Sequence, residues 1–334
     1  MTDKKRERVA AVIVTYNRKE ALNDCLNAVL RQSYPVEAVY VIDNASTDGT
    51  PEYLMEKGFV DKASSPDVAP VEEVKTHPLP PFPDKTVEIH YVRMHENTGG
   101  AGGFYEGIKR CYESGVDWVW LMDDDGIPAE DQLAELLDKS IEKKLLFSGP
   151  LIIDKSRTNS LSFWPPFLRK VENSVDNVVP CAEDGVVYGW VTPFNGTLIS
   201  RKVVEKIGNV KKEMFIWGDE REYELRARAN NIEVGTVVSA IHLHPARKGK
   251  KVDILFGLFG RVVVRPASKA NIYYRNLGYI IGNYYGRAGH VKNIIKHTVY
   301  FLINSGFNIK GLMDFYRYYI DGATDKYYLP PKRK

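Results

Sequence analysis

The sequence predicts an α/β fold: a Rossmann-like mixed sheet flanked by helices, followed by a smaller helical region. Continuous apolar runs rich in β-branched residues alternate with segments whose apolar residues recur at helical spacing. Each of the first four runs ends in a polar, turn-forming loop, as parallel strands joined by helices do. Beyond about residue 250 this alternation stops. We therefore predict a ligand-binding α/β domain at 1–250 and a helical region at 251–334.

The first half of the chain carries the parallel part of the predicted sheet. Strands are predicted at 9–14, 38–42, 87–93 and 118–122, and helices at 20–31, from about residue 50, and at 104–113. Residues 64–84 are proline-rich with few apolar side chains, which indicates a surface excursion outside the core. The four strands should end at one edge of the sheet, and this is where open α/β sheets bind ligands.

The second half continues the alternation and then changes character. Helices are predicted at 129–143, 201–207 and 221–230, and strands at 146–153, 189–200 and 234–243, with 189–200 crossing the ligand edge. Residues 268–287 are rich in Tyr and Arg, whereas residues 290–307 mix Lys292, Lys296 and His297 with many apolar side chains. These segments form the predicted C-terminal helical region.

Composition excludes several classes of protein. A net charge of +3 over 334 residues does not favour a nucleic-acid-binding protein. The three cysteines, Cys25, Cys111 and Cys181, have no metal or disulfide spacing and are expected to be buried thiols in a reducing compartment. The charged N-terminus does not resemble a signal peptide, and no apolar run approaches the roughly 20 residues of a membrane span. We expect a cytoplasmic protein, with the inner face of the cell membrane as a further location.

Three adjacent aspartates follow the fourth predicted strand. Asp123, Asp124 and Asp125 come directly after an apolar run and before Gly126 and Pro128. Neighbouring carboxylates repel and raise each other's pKa, and a divalent cation is the commonest partner that makes them tolerable. A solvated acidic turn that caps the next helix is the alternative. The position at the ligand edge favours the cation.

Five motifs in order carry a resemblance to a known family. They are the opening VAAVIVTYNRKEALNDCLNAVLRQSYPVEAVYVIDNASTDGT, the loop NTGGAGGF, and then LMDDDG, FNGTLIS and FIWGDEREYELRARA. Over residues 8–245 this series resembles the inverting family 2 glycosyltransferases, which have a nucleotide-sugar-binding domain of the GT-A type. The branch it resembles most includes galactofuranosyltransferases, with bacterial rhamnosyltransferases nearby.

The resemblance implies a donor and metal site. Asp123 and Asp125 would hold Mg²⁺ or Mn²⁺ against the diphosphate of a nucleotide sugar, while Asp124 would touch the ribose or the sugar. Asp43 would accept a hydrogen bond from the uracil ring, although an Asx turn alone is the alternative for that residue. The remaining residues that would contact the nucleotide or the donor sugar are Thr15, Tyr16, Asn17, Arg18, Asn97, Gly99 and Gly100.

The resemblance also implies a catalytic base and a third metal ligand. Glu220 would take the proton from the acceptor hydroxyl, and Asp219 remains the alternative because a glutamate at this position departs from the family's usual aspartate. One of His242 and His244 would complete the metal site, with His244 preferred. Three aromatic residues are candidates for an acceptor-sugar platform, with a buried structural role as the alternative; they are Trp190, Phe194 and Trp217.

These features predict a metal-dependent inverting glycosyltransferase. UDP-galactofuranose is the expected donor and dTDP-rhamnose the alternative, while the acceptor would be a hydroxyl of a lipid-linked cell-envelope glycan. Residues 290–307 would form an interfacial helix on anionic lipid, giving peripheral membrane contact; a helical lid or a homo-oligomer contact is the alternative. A non-catalytic nucleotide-binding scaffold in a glycan assembly complex is the competing function.

Overall fold

The computed structural model describes residues 6–168, 172–246, 250–258 and 260–327. Within them, eleven strands form one mixed sheet and two more form a separate antiparallel pair. In chain order the strands are β1 (Val9–Thr15), β2 (Ala38–Asp43), β3 (Val71–Leu79), β4 (Phe82–Arg93), β5 (Trp118–Asp123), β6 (Ile127–Pro128), β7 (Phe147–Asp154), β8 (Arg157–Leu161), β9 (Val186–Tyr188), β10 (Asn195–Ser200), β11 (Val234–His244), β12 (Lys250–Asp253) and β13 (Arg261–Val264).

Helices alternate with the strands in the α/β part and make up most of the C-terminal part. They are α1 (Lys19–Leu30), α2 (Thr50–Glu56), α3 (Gly99–Glu113), α4 (Gln132–Lys143), α5 (Val175–Val178), α6 (Arg201–Ile207), α7 (Asp219–Ala229), α8 (Ala270–Tyr284), α9 (Gly286–Val299) and α10 (Ile309–Ala323). A π-helical segment, Tyr300–Asn304, follows α9. In the described part of the chain, no helix is both long and apolar enough to cross a bilayer.

The large sheet runs in the order β3-β4-β2-β1-β5-β10-β7-β11-β6, with β8 beside β7 and β9 beside β11. Strands β4, β2, β1 and β5 are parallel neighbours, which confirms the predicted parallel core. Every residue of β1 and β2 is buried, as expected for strands covered on both faces. The mixed sheet flanked by helices confirms the predicted fold class.

The register of the parallel strands brings their ends together. Thr15 lies opposite Asp43, and Asp43 lies opposite Arg93. On the other side of β1, Val14 lies opposite Asp123. The predicted gathering of polar strand ends at one edge is therefore confirmed, and the candidate site begins at this edge.

Helix α3 begins at Gly99, earlier than the predicted start at residue 104. Its glycines allow the helix backbone to lie close to β1, since a Cβ on Gly103 would be 2.5 Å from Val14 Cγ1 and one on Gly107 would be 2.3 Å from Val12 Cγ1. Glycine lowers helix propensity, so the sequence indicated a loop where tertiary packing favours a helix. The glycine-rich segment thus forms the first turns of α3.

The proline-rich segment contains an edge strand that the sequence analysis did not predict. Strand β3 pairs antiparallel with β4 and ends the sheet order. Its side chains alternate between half-buried and exposed, which leaves a weak apolar signal. Pro78 is tolerated here because an edge strand does not need every backbone N–H for pairing.

By compactness the chain divides into two units. The first unit comprises Met1–Lys212 and Arg226–Arg247, and the second comprises Glu213–Leu225 and Lys248–Lys334. The tryptophan-led acidic segment thus belongs to the same unit as the C-terminal helices, whereas the sequence analysis assigned it to the domain at 1–250. The second unit also contains the β12–β13 hairpin, a strand pair not predicted for the helical region.

The cysteine prediction is correct for two of the three residues. Cys25 and Cys111 are buried, and burial raises the pKa of both thiols. Cys181 is exposed, so the expectation of a third buried thiol was wrong. It lies at the end of a short 3₁₀ turn that contains no buried residue.

Candidate functional site

Polar residues at the ends of β1, β2 and β5 form a group that we call the strand-end cluster: Thr15, Asp43, Asp123, Asp124 and Asp125. Asp124, the middle one of the three aspartates, is a buried member of it. Asp124 is 3% exposed, and Thr15 Oγ1 donates a hydrogen bond of 2.6 Å to its Oδ2. Arg18 Nη1 lies 3.1 Å from the other carboxylate oxygen. Burial raises the pKa of Asp124 to about 6, although Thr15 and Arg18 stabilise its charged form. The Asp124 carboxylate therefore links the ends of β1 and β5.

Asp125 is the aspartate with the cationic surroundings. Arg18 Nη1 lies 2.7 Å from its Oδ2, His244 Nε2 lies 3.1 Å from its Oδ1, and Lys155 Nζ donates to its backbone carbonyl at 2.6 Å. Burial opposes ionisation of this carboxyl, but His244 and Arg18 together outweigh burial and lower its pKa to about 2. Asp125 is thus ionised at any physiological pH.

Asp125 and His244 provide two donors suited to a divalent cation. His244 Nδ1 lies 2.7 Å from the Pro245 carbonyl oxygen, which places a proton on Nδ1 and directs Nε2 at Asp125. Asp125 Oδ1 is buried without a hydrogen-bond partner of good geometry. A carboxylate oxygen and an imidazole nitrogen are both ligands that Mn²⁺ accepts. These two side chains therefore fit a metal.

The full predicted ligand set is not assembled in the described residues. No group of three or more His, Cys, Asp or Glu side chains there is close enough to hold a metal ion. His242, the other candidate, is completely buried with Nδ1 3.0 Å from Gln132 Oε1. Burial lowers its pKa to about 3. Of the two histidines, His244 is the one in contact with the aspartates.

His242 explains a glycine in the aspartate motif. A Cβ on Gly126 would lie 2.0 Å from His242 Nε2, so the residue after the three aspartates must be glycine for this histidine to fit. This contact could not be predicted from the sequence, because the two residues are distant in the chain.

The predicted nucleotide residues join two loops of the strand-end cluster. Asn17 has a φ of +54°, its N–H donates to Ser46 Oγ at 2.9 Å, and its Oδ1 accepts from Thr47 N–H at 2.7 Å. The β1–α1 loop is therefore fixed to the loop after β2. Tyr16, on the same loop, is 45% exposed and free of the core.

Asp43 is completely buried at the end of β2. Its Oδ2 accepts a 2.5 Å hydrogen bond from Tyr91, and its Oδ1 accepts one of 2.8 Å from Ser46 N–H. Burial, followed by the charge of Asp43, raises the pKa of Tyr91. The Ser46 bond is the turn-forming role expected as the alternative, so nucleotide contact by Asp43 stays a prediction.

Asn97 and Gly99 form the entry to α3. Asn97 Oδ1 accepts a hydrogen bond from Gly99 N–H at 2.8 Å, and Gly99 has a φ of +72°. A Cβ on Gly100 would meet nothing within 4 Å, so this glycine faces open space. The open side of Gly100 leaves room for a ligand, and its role in donor binding stays a prediction.

Two of the three predicted acceptor aromatics are buried. Trp190 is 8% exposed within a cluster that includes Leu151 and Val187, and Phe194 is 2% exposed with its ring centroid 4.4 Å from that of Phe104. Neither presents a ring face to a sugar in this arrangement, because neighbouring apolar side chains cover both rings. The buried structural role, which was the alternative, is the one seen.

In the second unit, the tryptophan-led segment forms a strained turn before α7. Phe215 and Trp217 have φ values of +64° and +62°, a conformation that costs L-residues free energy. Trp217 is half-buried, with Arg265 stacked 4.3 Å from its ring centre. Glu220 Oε2 accepts a hydrogen bond from Gly218 N–H at 2.9 Å, while Asp219 is only 4% exposed. Glu220 is the more accessible of the two candidate bases.

One asparagine of α8 holds this turn in place. Asn276 Nδ2 lies 2.8 to 3.0 Å from three carbonyl oxygens, those of Met214, Ile216 and Trp217. Asn276 was not among the predicted site residues, although it shares the buried face of α8 with Ile272 and Ile280 at four-residue spacing. Its four-residue spacing from two isoleucines of the same helix is the sequence signal that indicates a buried position.

Comparison with known proteins agrees with the motif series. The family model described as "Glycosyl transferase family 2" matches residues 10–185, slightly more than half of the chain. The galactofuranosyltransferase GlfT1 of Mycobacterium tuberculosis is 27% identical over 327 residues, covering 97% of this chain and 98% of that protein. Its counterpart from Mycolicibacterium smegmatis is 28% identical over 283 residues, covering 82% and 83%.

More distant relatives and solved structures point the same way. The dTDP-rhamnosyl transferase RfbF of Shigella flexneri is 24% identical over 140 residues, which covers 42% of this chain and 46% of that protein. The crystal structure of S. aureus TarS 1–349 in complex with UDP superposes with a TM-score of 0.51 at 14% identity, covering 96% of this chain and 83% of that one. At this identity the likeness concerns the fold, which is that of the GT-A glycosyltransferases. This chain therefore belongs to glycosyl transferase family 2.

Proposed function

We propose that the protein transfers galactofuranose from UDP-galactofuranose to a hydroxyl of a lipid-linked cell-envelope glycan, with inversion at the anomeric carbon and with Mn²⁺ or Mg²⁺ as cofactor. Sugar transfer follows from the family. The donor is supported by the two relatives named galactofuranosyltransferase, one of which aligns over nearly the whole chain. The observation that carries the proposed metal site is the pairing of Asp125 with His244 beside the buried Asp124.

The predicted site residues have separate roles in the proposed reaction. The metal would be held by Asp125 and His244 together with Asp123, and it would offset the negative charge of the diphosphate leaving group. Arg18 lies against two of the aspartates with a half-exposed side chain, and its guanidinium would contact phosphate oxygens of the donor. Asp43 and Asn17 would contact the nucleotide. Glu220 accepts the proton of the acceptor hydroxyl. At the same time the hydroxyl oxygen bonds to the anomeric carbon, and the bond between the sugar and the diphosphate breaks.

A rhamnosyltransferase that uses dTDP-rhamnose is the second candidate. The similarity to RfbF favours it, and thymine presents to Asp43 the same ring edge as uracil. Since the fold and the metal site do not determine the sugar, the two candidates share every residue named above.

A thermal-shift screen tests the proposal. The protein is melted with UDP-galactofuranose, UDP-galactopyranose, dTDP-rhamnose and GDP-mannose, each with and without Mn²⁺. A ligand at a hundred times its Kd stabilises the native state by about 2.7 kcal/mol, so the donor should raise the Tm by several degrees. We expect UDP-galactofuranose with Mn²⁺ to give the largest shift. A larger shift with dTDP-rhamnose would select the second candidate, and no shift with any nucleotide sugar would contradict both.

A further inference from the structure

The β12–β13 hairpin exposes two large apolar side chains at its end. Phe256 and Leu258 lie in the connection between the strands and are 105% and 81% exposed. Single exposed apolar residues are common, but two neighbours this exposed at the end of one hairpin are not. We refer to Phe256 and Leu258 as the apolar tip.

Helix α9 supplies a second apolar strip close to this tip. Val291 and Ile295, one helical turn apart, are 57% and 46% exposed. A groove of about 840 Å³ runs between the hairpin and the helix, lined by Leu258, Val291 and Ile295 together with Arg287, Lys292 and Lys296. The apolar surface is therefore interleaved with cationic side chains.

Hydrogen bonds fix the hairpin to the helical segment. Lys296 Nζ donates to the Arg261 carbonyl at 3.2 Å, and Asn304 Nδ2 donates to the Asp253 carbonyl at 3.1 Å. Because the contacts lie at both strands of the hairpin, the apolar tip and α9 form one continuous surface. We call it the hairpin–helix face.

The charged side chains of residues 254–313, which carry most of the hairpin–helix face, are all basic. Residues 254–313 contain no Asp or Glu, and they contain eight Lys and Arg, namely Arg261, Arg265, Lys269, Arg275, Arg287, Lys292, Lys296 and Lys310. Asp253, just before this stretch, is already paired with Arg261 at 2.6 Å. Burial and the neighbouring Lys292 lower the pKa of Lys296, so an anion placed there would be favoured.

We propose that the hairpin–helix face docks the protein on an anionic phospholipid bilayer, with the apolar tip inserted among the headgroups and Arg287, Lys292 and Lys296 paired with lipid phosphates. Apolar side chains beside lysine and arginine are the pattern of in-plane membrane contact. A second copy of the chain fits less well, because a two-fold contact would bring the same cationic groups together. The inference rests on the proposed function only in that a lipid-linked acceptor would lie in the same bilayer.

Vesicle co-sedimentation of the full chain tests this proposal. Vesicles of phosphatidylcholine alone are compared with vesicles that contain about a third phosphatidylglycerol. We expect binding to the anionic vesicles only, weakened by added salt. The double variant Phe256→Ser, Leu258→Ser should lower the partition coefficient at least tenfold, and so should Lys292→Glu, Lys296→Glu. Val68→Ser is the matched control, since Val68 is 86% exposed in the first unit and its loss should change nothing.

Several results would overturn the proposal. They are absence of binding to anionic vesicles, equal binding to both vesicle types, or wild-type binding by the tip variant. Concentration-dependent dimers in analytical ultracentrifugation that the tip substitutions abolish would assign the face to a second copy instead. Each variant is also melted with UDP and Mn²⁺. If UDP raises the Tm but the protein does not bind vesicles, only the membrane inference is contradicted. If the protein binds vesicles but UDP does not raise the Tm, only the proposed function is contradicted.

Discussion

At the scale of single residues, the two candidate bases differ in surroundings. Glu220 is partly accessible and its carboxylate accepts a hydrogen bond from Gly218 N–H, while Asp219 is buried. The Glu220→Gln variant keeps the shape of the side chain and removes its basicity. We expect its kcat to fall at least a hundredfold while UDP and Mn²⁺ still raise the Tm. Asp219→Asn is the companion variant; if it alone abolishes transfer, the base is Asp219.

His297 predicts a pH dependence of stability. The ring is 2% exposed, stacks on Phe315 at 4.4 Å, and burial lowers its pKa to about 4. The unfolded chain binds a proton below about pH 6.5 that the folded chain does not accept until about pH 4, so stability falls as the pH falls through this window. At pH 5 the loss is about 2 kcal/mol. His297→Phe keeps the stack, and its Tm advantage over the wild type should grow from pH 7.5 to pH 5; a constant difference would contradict the prediction.

At the scale of elements, the fit of α3 on β1 depends on Gly103 and Gly107. A Cβ on Gly107 would lie 2.3 Å from Val12, whereas one on Gly100 would meet nothing. Gly107→Ala should therefore destabilise the protein by about 1 to 3 kcal/mol through overpacking. Gly100→Ala, in the same helix, should leave stability unchanged or raise it by up to about 1 kcal/mol. Chemical denaturation of the two variants checks this, and equal effects would contradict the packing explanation.

The elements also show what a sequence can and cannot predict. Strands β1, β2 and β5 were predicted nearly to their ends because their apolar runs are continuous, and the strand-end site followed from their parallel order. Strand β3 and the start of α3 were missed because an exposed edge strand has little apolar signal and glycine packing needs knowledge of the neighbour. Burial of Trp190 and Phe194 likewise depends on residues far away in the chain, since an aromatic residue looks the same in sequence on a surface or in a core.

At the scale of the whole molecule, the candidate base depends on the C-terminal part of the chain. Asn276 and Tyr284 of α8 bond to the segment that carries Glu220, through the Trp217 carbonyl and the Glu222 carboxylate. A chain that ends at residue 247 lacks both partners. We expect this truncated protein to lose sugar transfer by at least a hundredfold while UDP and Mn²⁺ still raise its Tm, because the strand-end cluster lies in the first unit. Full transfer by the truncated chain would contradict this.

The discontinuous second unit also has a consequence for synthesis on the ribosome. Trp217 and Asn276 are 59 residues apart in the chain. At a translation rate of about 5 to 20 residues per second, the turn before α7 emerges roughly 3 to 12 s before its asparagine has been made. Residues 9–244, which include the strands of the first unit and His244 of the proposed metal site, are also made before Asn276 and can fold during this interval. A nascent chain would thus acquire the ability to bind a donor before the ability to use it, and the last step of maturation would be the arrival of α8.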